Sequence, residues 1–167
     1  DKVKFDEGLY PGEDPKFIAR RMLILASEDI GNANPNALLL ANTCMDAINK
    51  IGWPEGRIIL SQTAVFLANS EKSNSSYLAI KDAQSIVQKT GNLAVPLHLR
   101  NAPTKLMKDI GYGKDYKYAH QHEDNFVDLE FLPDKISGTK FYEPGNNIRE
   151  NEDRKKLLKR WKSKYGY

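Results

Sequence analysis

DPKFIARRMLILASEDIGNANPNALLLANTCMDAINKIG, residues 14–52, carries two helix starts and two helix stops. Asp14-Pro15 sets a capping side chain before a proline at the first helical position. The spacing predicts a helix to about Asp29, stopped at Gly31. Phe17, Ile18, Met22, Leu25 and Ala26 fall on one face at helical period, with Arg20 and Arg21 off it. Asn34-Pro35 repeats the device and opens a second helix that ends at Gly52. Its apolar set is Ala37, Leu40, Ala41, Cys44, Ile48 and Ile51. Leu38, Leu39 and Met45 widen that stripe, and so wide an apolar surface predicts a central helix.

Outward from this stretch the punctuation continues. Trp53-Pro54 opens a third helix, to about Asn69, with Glu55 favourable in its first turn. Its sequence IILSQTAVFLA is apolar nearly all round, which predicts the most buried helix of the chain. Residues 70–73 read as a turn and 74–90 as a fourth helix, stopped at Gly91, with Tyr77, Ile80, Ala83, Ile86 and Val87 as its stripe. Short turns join these four helices, so antiparallel pairs are expected. Pro96 biases Val95 to extended backbone, and Ala102-Pro103 starts a short helix over 104–110. Residues 112–148 have no sustained period and are held by their aromatics. Residues 149–163 return to helix, anchored by Leu157, Leu158 and Trp161. Five or six helices and no strand make the class all-α, a helical bundle with a long irregular aromatic-rich segment. The expected organisation is a lead-in over 1–13, a helical domain over 14–148, and a basic helix or tail over 149–167.

With 167 residues, 40% of them hydrophobic, the chain suits one domain with a real core. Formal net charge is only +3. From Arg149 onward, however, eight cationic side chains face three acidic ones, so the tail is strongly basic and the remainder net acidic. One cysteine, Cys44, excludes an internal disulfide and fits a reducing compartment. No apolar run reaches the roughly 18–20 residues of a membrane helix. The opening DKVKF has no apolar core of a secretory signal. A cytoplasmic protein without a membrane partner is the expectation, and the absence of an initiator Met suits a fragment.

GYGKDYKY (111–118) lacks the spacing of a phosphate-binding loop, and neither H-E-x-x-H nor paired cysteines occur. His120 and His122 beside Glu123 and Asp124 could hold a metal only if a turn made them converge; the plainer reading is a solvated loop. Cys44 sits on a core stripe, and a nucleophile would need an exposed electropositive setting. Glu28 and Asp29 fall where the first helix ends, a slightly unfavourable place for carboxylates, which points to a structural clamp more than to acid–base chemistry. Lys105, Lys108, Lys114 and Lys117 interleave with Tyr112, Tyr116 and Tyr118, the composition of a nucleic-acid surface. The alternative is a tyrosine-packed loop with solvated lysines. In the tail, Lys155, Lys156, Lys159 and Arg160 would attract any polyanion.

The blocks ARRMLILASEDIGNANPNALLLA (19–41), GWPEGRIILSQTAVFLA (52–68), KSNSSYLAI (72–80) and VPLHLRNAPTKLMKDIGYGKDYKYAH (95–120) together resemble the C-terminal region of the replication-associated recombination protein A (MgsA/RarA) family. The resemblance runs from about Glu13 to Pro144, while residues 1–12 and the Glu130-Phe131 pair depart from the family pattern. It implies AAA+ ATPases related to clamp loaders, acting at stalled or damaged replication forks. The ATP and magnesium site of such proteins lies in an N-terminal module, so no cofactor and no catalytic residue is expected here. The resemblance also implies a helical collar-like domain that assembles a homo-tetramer, with DNA and single-stranded-DNA-binding protein as partners. The leading expectation is thus a non-catalytic oligomerisation domain. A DNA-binding module using the Lys/Tyr segment and basic tail is the alternative. A metal-dependent enzyme using His120, His122 and Asp29 comes third.

Overall fold

The computed structural model describes residues 14–167, apart from the side chains at 162 and 163, and the lead-in expected over 1–13 lies outside that range. Six α-helices and no strand occur among the described residues, so the all-α class is correct. They are α1 (Pro15–Leu25), α2 (Asn36–Ile51), α3 (Gly56–Ala68), α4 (Ser75–Thr90), α5 (Lys105–Asp109) and α6 (Ile148–Tyr165). The chain forms two compact units. One runs to Tyr77 and takes in Gly145–Asn151; the other is Leu78–Pro144 with Glu152–Tyr167.

In the first unit the punctuation of α1 works as expected, but Asn34-Pro35 does not repeat it: Pro35 is the N-cap of α2, with no side-chain cap bond, and the Asn34 amide donates to Ser70 Oγ at 3.1 Å. The Asp14 carboxylate accepts the Lys16 backbone N–H at 3.0 Å, and Pro15 occupies the first helical position. After Leu25 the chain widens into one π turn, Ala26–Ile30, and Gly31 ends it with φ 49°. Trp53-Pro54, joined by a cis peptide, lies in the turn before α3, which begins at Gly56 and not at the proline.

Helix α2 packs on both α1 and α3, as a central helix must. Ala37, Ala41, Cys44 and Ile48 recur along one face of α2 and are buried. Two clusters share this stripe. Ala26, Ile30, Ala37, Ala41 and Leu67 form one; Ala19, Cys44, Ile48 and Leu60 form the other. Several of these are alanines, which bring the helix backbones close and leave little volume for larger neighbours.

That close approach corrects four expected faces. Ala19, not Phe17 or Ile18, is the buried residue of α1; Phe17 and Ile18 are exposed. The residues expected to widen or extend the α2 stripe, Leu38, Leu39 and Ile51, are exposed as well. Helix α3 buries Gly56, Leu60, Thr63 and Leu67, a larger share than any other described α-helix, as expected, but its apolar surface is not covered all round: Ile58 and Val65 are about 60% exposed, at 62% and 59%. The α4 stripe is open too, since Tyr77, Ile80 and Val87 are exposed.

Three loops close the first unit. The Ser73 N–H donates to the Asp29 carbonyl at 2.8 Å. A Cβ on Gly31 would stand 2.7 Å from the Ser73 carbonyl oxygen, so the two backbones meet where only glycine fits. Ser73, Ser75, Asn147 and Glu150 are buried polar residues. The Asn147 amide donates to the Glu150 carboxylate, and the Glu150 N–H donates back to Asn147 Oδ1 at 2.9 Å. Buried polar groups of this kind stay only where they are paired.

Candidate functional site

The second unit holds the Lys/Tyr segment and most of the basic helix, and its irregular backbone is fixed by specific hydrogen bonds. Arg100 donates from Nε to the Val95 carbonyl at 2.6 Å and from Nη1 to the Tyr112 hydroxyl at 3.0 Å. Its guanidinium also lies 4.9 Å from the Tyr112 ring centre. The Gly113 N–H donates to the Leu97 carbonyl at 2.8 Å. Of the tyrosines expected to pin this path, Tyr112 does so through Arg100. Tyr116 and Tyr118 are exposed. The signal that could have found the Arg100–Tyr112 contact is a single arginine in a mostly apolar X-Pro segment, Val95–Arg100.

A second set of contacts gathers on Glu130. Ser137 Oγ and the Leu132 N–H donate to its carboxylate, the Tyr165 hydroxyl lies 3.2 Å away, and Lys164 Nζ stands 3.9 Å off. Burial would raise this carboxyl. The Ser137 and Leu132 hydrogen bonds, with Lys164 and Tyr165, more than offset that and hold it at about 2. The same arrangement, through burial first and then the Glu130 charge, pushes the Tyr165 hydroxyl up to about 12. Lys164 also donates to the Leu129 carbonyl, and His98 Nε2 lies 2.9 Å from the Glu130 carbonyl. Glu143, bonded by Lys140 and Arg154, is held below the usual carboxylate range. Sequence reading missed this node, because Glu130 is separated from its partners by up to 35 residues.

Beside that node lies a cavity of about 200 Å3, lined by Tyr116, Lys117, Asn125, Phe126, Phe131 and Trp161 among others. Trp161 meets Phe126 edge-to-face at 4.7 Å between ring centres, and Phe131 at 6.2 Å. The two candidate cation sets, read apart in the sequence, approach here. Lys117 belongs to the lining. Arg160 stands 5.6 Å from the Phe126 ring, and Lys159 pairs with Asp124 at 3.2 Å. Lys105 and Lys108 lie on α5, and with Lys114 are exposed; Lys155 and Lys156 are exposed on α6, the latter paired with Asp153 at 3.2 Å.

The remaining candidates find other places. Among the described residues no group of three His, Cys, Asp or Glu side chains is placed to hold a metal. The Asp124 carboxylate faces Lys159, and the His120 ring lies 5.1 Å from that of Tyr118. Cys44 is buried in the core, as its stripe predicts. Asp29 acts through its backbone carbonyl on Ser73, while the Glu28 and Asp29 side chains are exposed. No helix among the described residues is long and apolar enough to cross a membrane.

The described residues thus join an all-α fold to an open aromatic cavity with Lys117 in its lining. The family model described as MgsA AAA+ ATPase C terminal matches residues 7–162, and the chain belongs to that family. The match begins inside the stretch that was expected to depart from the pattern and reaches past Pro144 into α6. The chain is 46% identical over 147 residues to Replication-associated recombination protein A of Coxiella burnetii, covering 87% of this chain and 33% of that protein. It is 42% identical over 147 residues to the protein of the same name from Escherichia coli K12, with the same coverage of 87% and 33%. ATPase WRNIP1 of Dictyostelium discoideum is 45% identical over 136 residues, 81% of this chain and 16% of that protein. The chain thus spans about a third of the length of its bacterial relatives and less of the last.

Proposed function

We propose that this chain is a non-catalytic oligomerisation domain that holds four AAA+ ATPase modules together. The observation that carries the reading is the two-sided apolar character of α3. Leu60, Thr63 and Leu67 face the core, while Ile58 and Val65, seven residues apart on the opposite face, remain open. An apolar stripe at that spacing is what a symmetric helix–helix contact uses. Linking modules this way raises their local concentration on a shared substrate without any new contact to it. The names of the relatives support a role in DNA replication and recombination for the whole protein. On this reading the ATP and magnesium site lies in the part of the relatives that this chain does not span. The whole protein works in the cytoplasm at stalled forks, with single-stranded-DNA-binding protein as a partner.

Light scattering tests the assembly. The chain should give about four times its 19.0 kDa mass. Replacing Ile58→Asp and Val65→Asp together should lower that mass with helicity unchanged. A parent chain that is monomeric at micromolar concentration would end this reading.

A second reading has its own support. The Lys/Tyr segment and α6 supply Lys117 and Trp161 to one cavity, which suits a DNA-contact surface. Salt-dependent binding of DNA by the chain is its measurement, and absence of binding at low salt removes it.

A further inference from the structure

We propose that the cavity lined by Tyr116, Lys117, Asn125, Phe126, Phe131 and Trp161 is a subsite for one unstacked base of single-stranded DNA. This inference rests on the DNA-contact reading and sharpens it from a basic surface to a place.

The lining is aromatic without being a closed core. Tyr116 is 58% exposed and Phe131 46% exposed, so their rings border an opening. Trp161 is held edge-on by Phe126 and Phe131, with Tyr165 5.3 Å away on its own helix. A cavity of about 200 Å3 falls below the roughly 300–1,000 Å3 of drug-sized ligand pockets. It has room for one flat ring. Asn125 adds an amide, able to donate to and accept from a base edge.

The charges around it fit a phosphate chain. Lys117 belongs to the lining, Arg160 stands over Phe126, and Lys159 is engaged with Asp124. Both partners of that last pair are mostly exposed, at 78% and 58%, so water and salt weaken it and a phosphate can replace the carboxylate. On α6, Lys155 and Lys159 stand four residues apart, as do Lys156 and Arg160, which makes rows of cations about one turn apart. Rows beside aromatic rings are how single strands are tracked and stacked. An acidic peptide with one aromatic side chain would want a compact cation cluster at one spot, and the α6 cations are strung along the helix.

The test uses the 167-residue chain and a fluorescein-labelled oligothymidylate of about 12 nucleotides, with anisotropy read across a salt series. Tyr116→Ala should weaken binding about tenfold while leaving the salt slope unchanged, because stacking releases no counterions. Tyr116→Phe should bind as the parent does. Lys117→Gln should lower the slope by about one. Tyr116 is exposed, so its loss leaves the fold intact, and circular dichroism checks this. Trp161→Phe is a second variant that keeps a ring in place. Oligothymidylate should shift the Trp161 indole resonance in NMR spectra.

Parent-like binding by Tyr116→Ala, with loss of binding in Lys155→Gln/Lys156→Gln, would overturn the subsite and leave the DNA reading standing. Failure of the parent to bind at low salt would overturn both. A Trp161 shift produced by an acidic, aromatic peptide and not by oligothymidylate would overturn the base subsite in favour of a protein partner. Oligomeric mass, measured on the same variants, is independent of all three outcomes.

Discussion

The two units of this chain are held by different forces. The unit that runs to Tyr77 contains both apolar core clusters, with residues from Ala19 to Leu67. In the unit of Leu78–Pro144 and Glu152–Tyr167, Pro144 alone of the described residues is buried. There Glu130, Arg100, Glu143 and Lys164 organise the backbone through hydrogen bonds and ion pairs, with aromatic edges between them. The first kind of order comes from removing apolar area from water and is non-directional. The second depends on geometry and on charge, so it responds to pH and salt where the first does not.

That contrast is most sharply tested by truncation. Leu67→Ala should cost about 2–5 kcal/mol in urea denaturation, since it opens a cavity among Ala26, Ile30, Ala37 and Ala41. Leu106→Ala, at a side chain that is 68% exposed, should change stability by less than about 0.5 kcal/mol. Equal losses at the two positions would mean that the second unit has a core after all.

Gly31→Ala is expected to cost about 1–3 kcal/mol, for two reasons. The added Cβ would approach the Ser73 carbonyl to 2.7 Å, and φ there is +49°. Hydrogen exchange should show the loss first at the Ser73 amide, which bonds to Asp29.

Glu130→Gln should cost about 1.5–3 kcal/mol, the range for hydrogen bonds to a charged group. Its pH dependence gives the sign. The carboxyl is held at about 2 in the folded chain against an ordinary 4.5. The stabilisation is therefore complete above about 4.5 and fades as pH falls towards about 2. Acid titration of the parent should show this loss, and Glu130→Gln should flatten it. A parent whose stability does not change across that window would show that the Glu130 node does not hold the second unit.

The smallest effect is expected at Lys159→Gln. Its pair with Asp124 is exposed on both sides, so stability should move by less than about 0.5 kcal/mol and salt should erase the difference. A larger change would make that pair part of the scaffold.

Much of the helix plan was legible because local signals act within a few residues. Asp14-Pro15 caps α1, Gly52 and Gly91 end α2 and α4 with positive φ, and Thr104 accepts the Met107 N–H at the start of α5. Burial was less legible. Phe17, Leu39, Ile58 and Ile80 all sit at helical period, and all are exposed. Period alone says that a face is apolar. It does not say which of two apolar faces finds a partner within one chain. The Lys/Tyr segment and the basic helix were each visible as composition. Their meeting at Trp161 was not, because Tyr116, Phe126 and Trp161 are far apart along the chain.

Caps, prolines, glycines and ordered motif blocks are all local information, and the class, most helix ends and the family could be read from them. Tertiary structure alone decided that α2 uses its alanine face, that α3 keeps Ile58 and Val65 outside, and that Glu130 gathers partners from distant segments. The physical reason is that packing and charge pairing depend on which surfaces come within a few ångströms of one another. For the 111–118 segment this means a change of standing, from a run of lysines and tyrosines to one wall of an aromatic cavity.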